Sequence, residues 1–128
     1  MNIAKAHVFC ATLTGATRDI KWAFEDSSHA VFSVGGKMFA MFTLEKDKLV
    51  DGLSFKADDS RFLELTDRPG IIPAPYLARA KWVKLIDAKA LSDADARSLL
   101  ADAHRTVFAK LTKKARSMID PEHFMDSR

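Results

Sequence analysis

The chain is poor in the features that mark secreted and membrane-spanning proteins. Its 128 residues include one cysteine, Cys10, so no internal disulfide can form, which favours a reducing compartment. Apolar runs are broken by Gly, Lys or Asp well before the roughly 18 residues of a transmembrane helix. The N-terminus has no basic region followed by an apolar stretch and a small-residue cleavage site. We therefore expect a soluble, cytoplasmic protein without a membrane partner.

The chain also lacks a recognisable catalytic or metal-binding motif. His7 and Cys10 lie three residues apart on a predicted helix, a spacing that suits two metal ligands, but no third or fourth ligand accompanies them. Cys10 is better explained as a small core residue. The serines near His29 have no nucleophile motif around them, and the paired acids Asp58 and Asp59 lie at a predicted helix start. We expect a non-enzymatic protein with no metal and no cofactor.

The chain does contain enough apolar material for a core. Hydrophobic residues make up 48% of it and charged residues 29%, a balance typical of a folded domain that needs no disulfide or metal. We expect a single domain over residues 1–115. Residues 116–128 are expected to form a C-terminal tail that is either loosely ordered or docked through Met118, Ile119 and Phe124.

Apolar periodicity predicts helices that bracket antiparallel strands. Asn2 is a good N-cap for a first helix, and a capping signature at Ser92 and Asp95 begins a long amphipathic helix. Lys110 and Lys114 interrupt the apolar arc of that helix, so its packing should loosen there. The element order favours a two-layer α+β sandwich, an antiparallel sheet with helices on one face. The predicted segments are a helix over 2–13, a loop over 16–29 with room for a short turn or strand, a hairpin over 31–34 and 37–44, a third strand over 50–56, a short helix over 58–65, a strand over 82–86 and a long helix over 92–115.

A glycine pair determines the geometry of the predicted hairpin. Because residues 35–36 are both Gly and supply the positive φ angles of a two-residue turn, Val34 should face Lys37 and Phe32 should face Phe39. Both faces of the hairpin are then largely apolar, so a helix, a loop or a second copy of the chain must cover the second one. The face with Phe32, Phe39 and Met41 is a candidate homodimer or protein-interaction surface, and the other face carries Val31, Met38, Phe42 and Leu44.

Residues 68–82 form a loop with three prolines within seven residues. Proline fixes φ and lacks an amide donor, so this segment cannot be a helix or a central strand and should be held by its side chains. Tyr76 and Trp82 are predicted to anchor the loop on the sheet. Alternatively, the same aromatics join Arg79 and Lys81 in a patch whose cations contact phosphates while a ring stacks on a base.

The positive charge is concentrated in one part of the chain. Residues 79–116 carry ten basic and four acidic side chains, a net +6, whereas the whole chain has a net charge of +3. Such clustering indicates nucleic acid or another polyanion as a partner, although solubility alone also explains it. A third hypothesis is a small-ligand pocket between Tyr76, Trp82 and the loop around Trp22. The candidate nucleic acid contacts are Lys37, Arg79, Lys81, Lys84, Arg105 and Lys113.

Several motifs resemble the MmcQ/YjbR family, and the resemblance covers nearly the whole domain. They are residues 34–40 around the glycine turn, residues 53–56, the proline-rich segment 68–83 and the closing residues 109–111. The resemblance implies a CyaY-like fold, similar to bacterial frataxin, and DNA binding through a double-wing arrangement. It does not imply frataxin-like iron handling, which would need an acidic first helix, because the first acid here is Asp19.

Overall fold

The computed structural model describes residues 1–121 and contains one six-stranded antiparallel sheet. The order of strands across the sheet is first, second, third, fourth, sixth, fifth, so the last two are exchanged. None of the described helices is long and apolar enough to span a membrane. In chain order the elements are α1 (Ile3–Thr12), β1 (Ala16–Phe24), β2 (Ser27–Val34), β3 (Lys37–Glu45), β4 (Lys48–Lys56), α2 (Phe62–Thr66), β5 (Ile71–Pro73), β6 (Trp82–Leu85), α3 (Asp93–Ala109) and α4 (Lys113–Ile119).

Two helices, α1 and α3, pack side by side on one face of the sheet, which confirms the predicted two-layer α+β sandwich. His7 of α1 packs edge-on against Phe32 and Phe42, with ring centroids 5.2 and 5.3 Å apart. His104 of α3 packs in the same way on Phe39, at 5.3 Å. The opposite face, which no helix of the described residues covers, is called the open face below.

The predicted homodimer surface is wrong, because helices of the same chain cover most of it. Phe32 and Phe39 have no exposed area, and their rings contact His7 and His104 respectively. Met41 lies on the open face instead. The hydrophobic surface that would have driven dimerisation is therefore already buried inside the protein.

The register of the β2–β3 hairpin is partly as predicted. Val34 faces Lys37, but a β-bulge after Phe32 places Ala40, rather than Phe39, opposite Phe32. Because the bulge adds a residue to one strand, Ala40 and Phe39 are both fully buried. The bulge also changes which side chains lie on each face of the hairpin. Phe42 and Leu44, predicted on the other face from Phe32, join it in the core.

Residues 16–29, predicted to be a loop, form β1 and the start of β2. β1 lies at the edge of the sheet, and all its residues except Ala16 are exposed. The apolar–polar alternation of a half-buried strand is therefore absent from this segment. A bulge between Lys21 and Phe24, with φ of +55° at Trp22, interrupts the pattern further.

Helix α3 is shorter than predicted, because a second helix begins near its end. Oγ1 of Thr112 accepts a hydrogen bond from the Ala115 N–H at 3.1 Å and caps α4. The predicted boundary between the domain and its tail, after residue 115, thus falls inside α4. Ile119 packs against the core, whereas Met118 is exposed and Phe124 lies outside the described residues.

Other local features of the helices are confirmed. Oδ1 of Asn2 accepts from the Lys5 N–H at 3.0 Å, and Oγ of Ser92 accepts from the Asp95 N–H at 3.0 Å, so both predicted N-caps are present. Cys10 is fully buried in the core, as expected of a small core residue. Burial raises the pKa of its thiol to about 12.

Candidate anion-binding cleft

An open cleft lies between the tip of the β2–β3 hairpin, the start of β6 and the junction of α3 with α4. Its volume is about 640 Å³, within the range of about 300–1,000 Å³ typical of small-molecule sites. Three lysines and no acidic residue line it among the described residues; it is called the basic cleft below. The lining residues are Gly35, Lys37, Met38, Lys56, Leu77, Ala80, Trp82, Val107, Lys110, Leu111, Thr112 and Ala115.

The glycine turn brings Lys37 to the cleft. Gly35 and Gly36 have φ of +58° and +79°, the left-handed conformation that glycine adopts without steric cost. A Cβ on Gly35 would lie 2.6 Å from Cδ1 of Leu111, so the hairpin tip packs directly on the segment that follows α3. This close approach joins two parts of the chain that are far apart in sequence, and it places Lys37 and Lys110 on the same cleft.

A buried lysine and a buried tryptophan form part of the cleft wall. Lys56 and Trp82 are cross-strand partners in β4 and β6, and they are 7% and 4% exposed. Nζ of Lys56 donates to the carbonyl of Ala57 at 2.9 Å and to Oδ1 of Asp59 at 3.2 Å. These two contacts compensate part of the cost of burying a cation.

Trp82 holds the proline-rich loop, but largely through its backbone. The Ala74 N–H donates to the Trp82 carbonyl at 3.0 Å, and the Trp82 N–H donates to the Leu77 carbonyl at 3.2 Å. Tyr76, the other predicted anchor, is fully exposed and has φ of +66°. The prediction that Tyr76 anchors the loop on the sheet is wrong, because the turn at this position leaves the ring in solvent. Pro73 lies in the short edge strand β5, consistent with the exclusion of the loop from the sheet centre.

One of the six predicted nucleic acid contacts lines the basic cleft, and three others are next in sequence to residues that line it. Lys37 lines it directly. Arg79 and Lys81 flank the lining residue Ala80, and Lys113 follows the lining residue Thr112. Nζ of Lys81 also lies 5.0 Å from the ring centroid of Phe62, a cation–π contact.

The other two predicted contacts, Lys84 and Arg105, lie on opposite sides of the molecule. Lys84 pairs with Ser54 on the open face. Arg105 lies on the exposed side of α3, where it forms an ion pair with Asp102 in a neighbouring depression that shares Lys110 with the basic cleft. The six predicted residues therefore do not form one surface.

Sequence reasoning missed two lysines of the cleft, Lys56 and Lys110. One sequence feature distinguishes Lys110, because this lysine interrupts the apolar arc of α3. In the structure it is the C-cap of that helix. No sequence feature distinguishes Lys56, because a lysine at the end of a predicted strand is ordinarily solvated. Its burial follows from the pairing of β4 with β6.

The predicted pocket between Tyr76, Trp82 and Trp22 is not formed. Trp22 lies in β1, at the opposite edge of the sheet from β5 and β6. Its ring packs edge-on against His29 with centroids 5.9 Å apart. The pKa of His29 is lowered, mainly by burial and to a smaller extent by the positive charge of Lys84. The basic cleft is therefore the better candidate for a small-ligand pocket, since Trp82 is one of its lining residues.

The paired acids Asp58 and Asp59 have structural contacts. Oδ1 of Asp58 accepts from the Ser60 N–H at 2.9 Å and from its hydroxyl at 2.8 Å, and the backbone bond is the main reason why the pKa of Asp58 is lowered. Asp59 pairs with Lys56. Across residues 1–121, no three His, Cys, Asp or Glu side chains are grouped to hold a metal ion.

Comparison with known proteins supports the α+β fold. A family model, YjbR, matches residues 11–106. A Deinococcus radiodurans protein, DR2400, with the family-model domain DUF419, is 23% identical and has a TM-score of 0.71, covering 92% of this chain and 87% of its own. A Pseudomonas syringae protein solved by a structural genomics consortium is also 23% identical, with a TM-score of 0.65, 84% of this chain covered and 99% of its own. No curated protein matches the chain.

Proposed function

This chain belongs to the YjbR family, and from that premise we propose that it is a non-enzymatic domain that binds the phosphates of nucleic acid at the basic cleft. The observation that carries the proposal is the gathering of cations around a cleft with no acidic lining residue. They come from the β2–β3 hairpin tip, the segment before β6 and the α3–α4 junction. Nucleic acid affinity is dominated by such cation–phosphate contacts.

The contacts are expected to be with phosphates on the outside of the cleft. Lys37, Arg79 and Lys110 are exposed, so their ammonium and guanidinium groups can reach a phosphate without rearrangement of the core. Trp82 is 4% exposed, so its ring has no free face on which a base can stack. Phosphate contacts position a protein without reading sequence, so these contacts by themselves imply weak sequence preference.

A non-enzymatic role is supported by the partners of the paired acids. Asp58 accepts hydrogen bonds from Ser60, and Asp59 pairs with Lys56. Both carboxylates thus stabilise the turn before α2. Neither lines the basic cleft.

The test is fluorescence anisotropy of a labelled duplex oligonucleotide in a salt series. The cations expected to contact phosphates are Lys37, Arg79, Lys81, Lys110 and Lys113. If all five neutralise phosphates, log affinity falls against log salt with a slope of about −4 to −5. Binding that does not respond to salt, or no binding at low ionic strength, would contradict the proposal.

Alanine variants show whether the cleft is the contact surface. Lys37→Ala and Lys110→Ala should each reduce the magnitude of the salt slope by about 1. Lys84→Ala should leave it unchanged, because Lys84 lies on the open face. Lys89→Ala is the matched control, since Lys89 is exposed just before α3, about 25 Å along that helix from Lys110.

A second candidate function is the binding of a small amphipathic anion. The specific observation in its favour is the apolar lining that includes Met38, Leu77 and Leu111 beside the lysines. Dodecanoate should then raise the melting temperature, whereas uncharged dodecanol should not. Stabilisation by dodecanoate in the absence of any nucleic acid binding would favour this second candidate.

A further inference from the structure

The basic cleft has an apolar wall that phosphate binding alone does not require. Met38, Leu77 and Leu111 are only half-buried in the structure, and Val107 lies beside them. The cations Lys37 and Lys110 stand on the same cleft. A partner that suits this arrangement has an apolar part with a negative charge close to it.

We infer that the basic cleft holds one unpaired nucleobase, so that the preferred partner is single-stranded nucleic acid. This inference rests on the proposed function, since the phosphates on either side of the base would contact the surrounding cations. Pockets for extruded bases commonly enclose the base between aromatic or apolar side chains. The volume of about 640 Å³ is sufficient for a small molecule of this class.

Lys56 supplies a polar group for the edge of the base. It lines the cleft and is 7% exposed. A lysine ammonium has three N–H donors, and the contacts with Ala57 and Asp59 account for two of them. The third donor matches a carbonyl oxygen on a base, such as O6 of guanine or O4 of thymine.

The same arrangement disfavours duplex DNA. A base can enter the cleft from a duplex only after its pairing and stacking are broken, which costs free energy that a single strand does not expend. Phosphates of a duplex can still contact Lys37 and Lys110. Duplex binding is therefore expected to be the weaker, purely electrostatic mode.

An oligomer without bases separates the base contact from the phosphate contacts. Full-length protein is titrated with labelled oligothymidine and with a fully abasic oligomer of the same length and charge, at one salt concentration. We expect oligothymidine to bind roughly 10- to 100-fold more tightly. Equal affinity for the two oligomers would overturn the base pocket while leaving phosphate binding intact, and no binding to either would overturn both proposals.

Two variants test the cleft itself. Ala80→Phe should fill it from the exposed residue Ala80, lowering oligothymidine affinity toward that of the abasic oligomer. Ala94→Phe, at an exposed position in the first turn of α3, is the matched control and should change neither affinity. If Ala80→Phe retains the full preference for oligothymidine, the base does not lie in this cleft.

Lys56→Met tests the proposed hydrogen bond to the base. Adenine has no carbonyl oxygen, so the wild-type protein should bind oligothymidine more tightly than oligodeoxyadenosine. The variant should lose part of that difference while its affinity for the abasic oligomer stays the same. An unchanged ratio between the two oligomers would contradict the role of Lys56, and an unchanged melting temperature would show that the variant is folded.

Discussion

The Nε atom of Arg18 donates a hydrogen bond to Nε2 of His7 across 2.9 Å. This bond joins the edge strand β1 to α1, and the His7 ring also packs edge-on against Phe32 and Phe42. To accept it, Nε2 must be unprotonated, so the imidazole is neutral and carries its proton on Nδ1. Protonation would remove the acceptor and set two cations against each other.

Stability should therefore fall as the pH is lowered through the histidine range. In the folded state the pKa of His7 is lowered from 6.5, mainly by burial and to a smaller extent by the positive charge of Arg18. Between the lower folded pKa and the unfolded pKa, the unfolded chain binds more protons, so the free energy of unfolding decreases as the pH falls below about 6.5. Urea unfolding of wild type and His7→Gln at about pH 7.5 and about pH 5.5 checks this. The variant should show the smaller pH dependence, and equal dependence would contradict the assignment.

The burial of Phe39 under α3 predicts a large effect of truncation. Phe39→Ala should reduce the free energy of unfolding by about 3–5 kcal/mol, because it leaves a cavity in the core. Phe24 in β1 is 75% exposed, and Phe24→Ala should change stability by no more than about 0.5 kcal/mol. Chemical denaturation of both variants at the same protein concentration provides the comparison. Similar losses for the two would show that Phe39 is not a core residue.

The two glycines of the hairpin turn should differ in their tolerance of a side chain. Both have positive φ, so alanine at either costs about 1–2 kcal/mol in the left-handed conformation. A Cβ on Gly36 meets nothing within 4 Å, whereas one on Gly35 lies 2.6 Å from Leu111. Gly35→Ala should therefore be the more destabilising, and Gly36→Asn the mildest, since asparagine tolerates this conformation. Thermal unfolding gives the ranking, and a reversed order would mean that Leu111 does not pack on the turn.

Cys10 should be unreactive in the folded protein. Its side chain is fully buried and burial raises its pKa to about 12, so almost no thiolate is accessible near neutral pH. Ellman's reagent should modify it only as fast as the protein opens, and at once in denaturant. Rapid modification of the native protein would show that α1 detaches from the sheet.

Several features of the fold could be predicted from short stretches of sequence. The Gly-Gly turn and its closing pair, Val34 with Lys37, follow from backbone preferences of adjacent residues, as do the caps at Asn2 and Ser92. β1 could not be predicted, because an exposed edge strand has no burial pattern to reveal it. The exchange of Phe39 for Ala40 opposite Phe32 also depends on a bulge that no local motif marks.

The candidate site likewise has features that the sequence predicts and features that only the structure reveals. The sequence alone determined that the chain is rich in cations after residue 79 and that Lys37 lies at a hairpin tip. Only the tertiary structure decided that Lys37, Lys56 and Lys110 share one cleft, while Lys84 and Arg105 lie on different sides. Turns and caps depend on dihedral preferences within a few residues. A shared surface depends on the contacts between hairpin, strand and helix, which form only when the core of the whole chain packs.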